Sequence, residues 1–78
     1  MRVELRLFAT LRDSLPPENR GVERLELTED STVDDVINQL QLPRDQIAVI
    51  MINGKKVALD TVLKDNDRLG IFPPVGGG

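Results

Sequence analysis

The sequence contains no cysteine, no histidine, no tyrosine and no tryptophan, and only two phenylalanines among its 78 residues. Without cysteine there is neither a disulfide framework nor a thiol nucleophile. Without histidine the commonest general base near neutral pH is gone, and the two absences together remove the usual soft metal ligands. An enzyme acting alone would have to work with carboxylates, lysines or hydroxyls, in a chain with little room for a deep pocket. A protein that acts through partners and binds no metal or cofactor of its own is expected instead. The near absence of aromatics removes any stacking platform for single-stranded nucleic acid. Ten Lys and Arg stand against thirteen Asp and Glu, a formal charge of −3 with both signs spread along the chain, which also argues against a phosphate-backbone binder. The longest apolar run, residues 47–52, is far short of the ~20 residues of a membrane helix. No leader pattern of basic, apolar and small residues opens the sequence. A cytoplasmic protein that contacts neither nucleic acid nor membrane is the expectation.

What is present reads as one domain, which at this length buries only about 60–65% of the surface of its unfolded chain. Val3, Leu5 and Leu7 alternate with Arg2, Glu4 and Arg6, the pattern of a half-buried strand. Residues 8–15 are apolar with breaks, and Pro16-Pro17 followed by Glu18-Asn19-Arg20-Gly21 marks an exposed loop. Alternation resumes over residues 22–28, so the two strands should pair antiparallel across a long, irregular connection. Val33, Val36, Ile37 and Leu40 fall at i, i+3, i+4 and i+7, one face of a helix. Ser31 or Thr32 can cap its first amides, Asp34 and Asp35 favour the positive end of its dipole, and Pro43 closes it. The acidic group Glu29, Asp30, Asp34 and Asp35 reads as solvated face and capping rather than a metal site.

Residues 47–52 are apolar and β-branched, and Asn53-Gly54 after them is the strongest short-range hairpin signal, since both residues tolerate the positive φ of a type I′ turn. That turn would pair Ile52 with Lys55, Ile50 with Val57 and Ala48 with Leu59. Ala48, Ile50, Ile52, Val57 and Leu59 would share one face, and Val49, Met51, Lys56 and Ala58 the other. Asp65-Asn66-Asp67 is a turn, and a final strand over 68–72 puts Leu69 and Ile71 on one parity. One helix covers one face of a sheet. The expectation is therefore an α+β two-layer domain over residues 1–72, a mixed sheet of four to five strands packed on one main helix. The uncovered face makes Phe72, Met51 and Val49 a candidate partner-binding patch, with Arg68 as a docking charge. Residues 73–78 form a tail: Pro73 and Pro74 fix an extended exit, and Val75, Gly76, Gly77 and Gly78 a flexible end.

The chain resembles the ubiquitin-like sulfur carriers, and among them the small subunit of molybdopterin synthase. The resemblance runs from Phe8-Ala9-Thr10-Leu11-Arg12, through Ser31-Thr32-Val33-Asp34-Asp35-Val36 and Ile52-Asn53-Gly54, to Leu63-Lys64-Asp65-Asn66-Asp67-Arg68-Leu69. It is densest in Ile71-Phe72-Pro73-Pro74-Val75 and the terminal Gly77-Gly78; Gly76 departs from it, standing where alanine is more usual in that family. The resemblance implies a β-grasp fold with the last strand parallel to the first near the middle of the sheet. It implies that an E1-like adenylating enzyme joins the carboxylate of Gly78 to AMP at the expense of ATP. A sulfur donor such as a cysteine desulfurase or rhodanese then converts it to a thiocarboxylate, and the large subunit of molybdopterin synthase takes the sulfur for the dithiolene of the pterin.

The residues accord with that chemistry on their own terms. A carboxylate has no good leaving group and must first be joined to phosphate in another protein's site. Glycine, lacking Cβ, lets Gly76, Gly77 and Gly78 pass a narrow channel. Pro73 and Pro74 lower the ordering cost of insertion. Three other readings stay open: the sulfur carrier of thiamine thiazole synthesis, which usually lacks the Phe-Pro-Pro-Val approach; a modifier whose glycine ends in an isopeptide bond; and an interaction module with an inert tail.

Overall fold

The computed structural model describes residues 1–74. Five strands form one sheet: β1 (Arg2–Leu7), β2 (Val22–Glu26), β3 (Val49–Ile52), β4 (Lys55–Lys56) and β5 (Arg68–Phe72), in the order β2-β1-β5-β3-β4. β1 and β2 run antiparallel, β1 and β5 parallel, and β5 and β3 antiparallel. The strand formed last in sequence thus lies at the centre. The alternation expected of β1 and β5 is observed: Val3, Leu5, Leu7, Leu69 and Ile71 are buried on the helix side. Arg2, Glu4, Arg6 and Arg68 occupy the opposite parity.

The one α-helix among the described residues, α1 (Val33–Leu40), buries Val33, Val36 and Ile37 against that sheet. Thr32 caps it reciprocally with Asp35: the Asp35 amide donates to Thr32 Oγ1 at 3.2 Å and the Thr32 amide to Asp35 Oδ2 at 2.9 Å. The other first-turn amides bind chain that follows the hairpin, Val33 N to Thr61 O at 3.1 Å and Asp34 N to Leu59 O at 2.9 Å. Asp34 also pairs with Arg44 at 2.7 Å. At the far end Gln41 is left-handed, with φ 53°, and ends the helix before Pro43.

Three details depart from the sequence reading. β2 stops at Glu26, although Leu27 still donates to Met1 O at 2.8 Å and stays buried. β3 starts at Val49: the expected first residue, Ile47, instead closes a 3-10 turn at Arg44–Gln46, its amide donating to Arg44 O at 3.2 Å. The Asn53-Gly54 turn is present, with φ of 52° and 84°, and Ile52 pairs with Lys55 as expected. Val57 N donates to Ile50 O at 2.9 Å, but the Ala48–Leu59 pair does not form. Leu59 is drawn off to the start of α1, where its carbonyl satisfies an otherwise free amide, and its side chain is 42% exposed. The connection from β1 to β2 is two 3-10 turns, Ala9–Ser14 and Pro17–Asn19, anchored by buried Leu11 and Leu15. Among the described residues no helix is long and apolar enough to cross a membrane.

Candidate functional site

β5 ends at Phe72, and its last two residues, Ile71 and Phe72, are held from either side. Ala48 N donates to Phe72 O at 2.8 Å from the β3 side, and Phe8 N donates to Ile71 O at 3.3 Å from the β1 side. Parity puts the Phe72 side chain on the face away from α1, where it stacks on Phe8 with ring centroids 4.1 Å apart and an interplanar angle of 8°. Gly70 lies beneath the pair: a Cβ placed there would stand 3.4 Å from Phe72 Cε1 and 3.5 Å from Phe8 Cε1. The rings therefore lie close over the backbone of β5. Val49 is in register with Phe72, and Met51 with Gly70; Phe8, Phe72, Val49 and Met51 are all half-buried.

The expected patch of Phe72, Met51 and Val49 is thus brought together on one face. Phe8 belongs to it and is not among the patch residues expected from the sequence. Its ring partner lies at the other end of the chain, so only the parallel β1–β5 pairing unites them; the signal available was that these are the only two aromatics in the sequence. Arg68 is on the same face but toward the other end of β5, in register with Glu4 of β1. Glu4 accepts a hydrogen bond from Arg6 Nε at 2.7 Å. That bond above all, with the charges of Arg6, Arg24 and Arg68 adding to it, holds the Glu4 carboxyl below the usual range against the opposing effect of burial.

Pro73 is half-buried and Pro74 exposed where the chain leaves β5. Val75, Gly76, Gly77 and Gly78, the remainder of the expected tail, lie outside the described residues. Among the described residues no group of three or more Asp and Glu is arranged to hold a metal ion.

A five-strand mixed sheet with parallel first and last strands at its centre, laid over one helix, defines a ubiquitin-like β-grasp domain. Residues 5–78 match the ThiS family, and the chain belongs to it. It is 32% identical to small archaeal modifier protein 3 of Haloferax volcanii over the full length of both proteins. It superposes with a TM-score of 0.74 on a putative molybdopterin converting factor subunit 1 from Pyrococcus furiosus, at 29% identity and covering 96% of this chain and 99% of that one. A chain of the protein–protein complex of subunits 1 and 2 of molybdopterin-converting factor from Helicobacter pylori shares the fold, with a TM-score of 0.66, 24% identity and full coverage of both chains. The chain is thus a small ubiquitin-like protein of the sulfur-carrier and modifier kind.

Proposed function

We propose that this protein carries sulfur on the carboxylate of Gly78 and delivers it for the dithiolene of molybdopterin. The observation that supports the reading most is the fixed end of the central strand. Phe72 is hydrogen-bonded and ring-stacked in place, so the following residues, Pro73, Pro74, Val75, Gly76, Gly77 and Gly78, start from a rigid anchor beside an uncovered apolar patch. Phe72, Met51 and Val49, with Arg68, serve as the partner-binding surface.

In the first step an E1-like adenylating enzyme supplies ATP; a Gly78 carboxylate oxygen attacks the α-phosphate and pyrophosphate leaves. A donor persulfide, on a cysteine desulfurase or rhodanese, then attacks the acyl carbon. The C–S bond forms, the C–O bond to AMP breaks, and AMP departs. A thiol reductant opens the remaining S–S bond to release the thiocarboxylate. The large subunit of molybdopterin synthase is the partner that takes the sulfur, so the chain is no catalyst alone but the sulfur-donating small subunit. The cytoplasm, with its ATP and reduced thiols, suits the sequence.

Intact mass after incubation with activating enzyme, ATP and sulfur donor tests the proposal: the chain should gain the difference between one sulfur and one oxygen atom. A second reading, a protein modifier, is favoured by the 32% identity to small archaeal modifier protein 3. It expects the same adenylate to end on a lysine ε-amine, found as isopeptide-linked adducts in cell extract.

A further inference from the structure

The sheet face away from α1 is charged in the opposite sense to the chain as a whole. The protein carries −3 overall, yet the strand residues of this face include Arg2, Arg6, Arg24, Arg68 and Lys56 against Glu4 and Glu26, with Asp65 at its edge, where it accepts from the Arg2 amide at 2.7 Å. The cross-strand register explains the concentration. Arg24 of β2 and Arg68 of β5 lie in register on either side of Glu4 of β1. Glu4 is engaged by Arg6 at 2.7 Å and Glu26 by Arg2 at 2.9 Å. Arg24 and Arg68 are exposed, and among the described residues neither has an ion-pair partner. With Arg2, Glu4 and Asn66 they line a shallow recess of about 180 Å³. The apolar patch of Phe8, Phe72, Val49 and Met51 adjoins it on the same face.

We propose that this face docks an acidic protein surface, whose carboxylate side chains reach Arg24 and Arg68 while adjacent apolar side chains cover Phe8, Phe72 and Met51. The inference rests on the carrier reading, because it takes the activating enzyme as that partner. A guanidinium fork matches a carboxylate in bidentate fashion, and two such forks flanking Glu4 are held a strand spacing to either side of it, about 5 Å. A polyanion fits less well, since Glu4 and Glu26 interrupt the face and half of it is apolar. An acidic partner is repelled by the chain's net charge and attracted by this face. The charge pattern therefore selects one docking orientation, which brings the partner's surface against Phe72, where β5 ends.

The test is ATP–pyrophosphate exchange by the cognate E1-like adenylating enzyme with the full chain as substrate, between about 0.05 and 0.5 M salt. Arg24→Glu with Arg68→Glu should raise KM about tenfold or more at low salt, leave kcat unchanged and flatten the salt dependence. Arg24→Gln with Arg68→Gln should raise KM less, and Lys64→Glu, on the helix side, should leave it unchanged. Melting curves of the Gln pair and of Lys64→Glu should match the native chain, while the charge-reversed pair, which sets a carboxylate on either side of Glu4, should melt somewhat lower yet stay folded at the assay temperature. If the native chain is adenylated and the charge-reversed chain shows the same KM and salt dependence, the docking proposal is wrong and the carrier reading stands. If a competent enzyme never adenylates the native chain, the carrier reading falls and the proposal with it. Binding of anionic phospholipid vesicles or single-stranded RNA that the charge reversal abolishes, with KM unaltered, would assign the face to a polyanion and overturn the proposal.

Discussion

Asp67 is the buried carboxylate that fastens the start of β5, and removing it should loosen the strand that carries the tail. Its Oδ1 accepts from Asn53 Nδ2 at 2.9 Å and its Oδ2 from the Lys64 amide at 2.8 Å. Asn53 Oδ1 in turn accepts from the Arg68 amide at 3.0 Å. The pair thus ties the β3–β4 turn to the first residue of β5, and the side chain of Asp67 is almost closed to solvent at 8% exposure. Hydrogen bonds to a charged acceptor contribute roughly 1.5–3 kcal/mol each. Asp67→Ala leaves both donors unpaired, but Lys64 and Asn53 are exposed and water replaces part of the loss. The expected cost is about 2 kcal/mol, which for a domain of this size is a fall of roughly 8–16 °C in Tm. Asp67→Asn keeps one acceptor and should cost about half as much. Urea unfolding followed by far-UV circular dichroism reads the change as a lower midpoint at unchanged slope. An Asp67→Ala chain within about 0.5 kcal/mol of the native one would refute the view that this bridge secures β5.

Truncating Leu5, Val36 or Ile50 to alanine should cost about 2–4 kcal/mol each, read from thermal melts, since all three are buried at 0–7% exposure. Gly21→Ala should destabilise strongly. Its φ of 79° carries roughly 1–3 kcal/mol of strain for any other residue, and the new Cβ would sit 2.6 Å from the Leu7 carbonyl oxygen; a melt equal to the native one would mean the β1–β2 connection is free to shift. Because the folded carboxyl of Glu4 is held below its ordinary value, its contribution to stability is complete above the unfolded value. It is lost as pH falls through the folded one. The Tm difference between the native chain and Glu4→Gln should therefore shrink as pH is lowered from about 6 toward 3, and a difference that stays constant would contradict the assignment.

Local signals carried most of the fold. The spacing of Val33, Val36, Ile37 and Leu40 marked α1, Ser31 or Thr32 offered its cap with Asp34 and Asp35 at the positive end of its dipole, and Asn53-Gly54 placed the hairpin. What the sequence could not carry were choices made between distant segments. Leu59 had the right parity for a longer β4, but the free amides at the start of α1 compete for its carbonyl, and that competition exists only once the helix is packed. The Phe8–Phe72 stack and the Arg24–Glu4–Arg68 row arise from register across β2, β1 and β5, joined by long connections that fix no register of their own. Leu11 and Leu15 read as apolar, yet nothing local distinguishes a 3-10 turn from loop.

The central claim is that the reacting atom belongs to Gly78, and position is its most direct test. Adenylation requires that carboxylate at the α-phosphate of ATP, and one added residue displaces it by roughly 3.5 Å, more than catalytic alignment tolerates. The measurement is intact mass after incubation with the activating enzyme, ATP and a sulfur donor, for the native chain and for one extended by a single residue after Gly78. The native chain should gain the difference between sulfur and oxygen and the extended chain nothing, with both melting alike. An equal gain in the extended chain, or none in the native chain with an enzyme competent on its own substrate, would contradict the account.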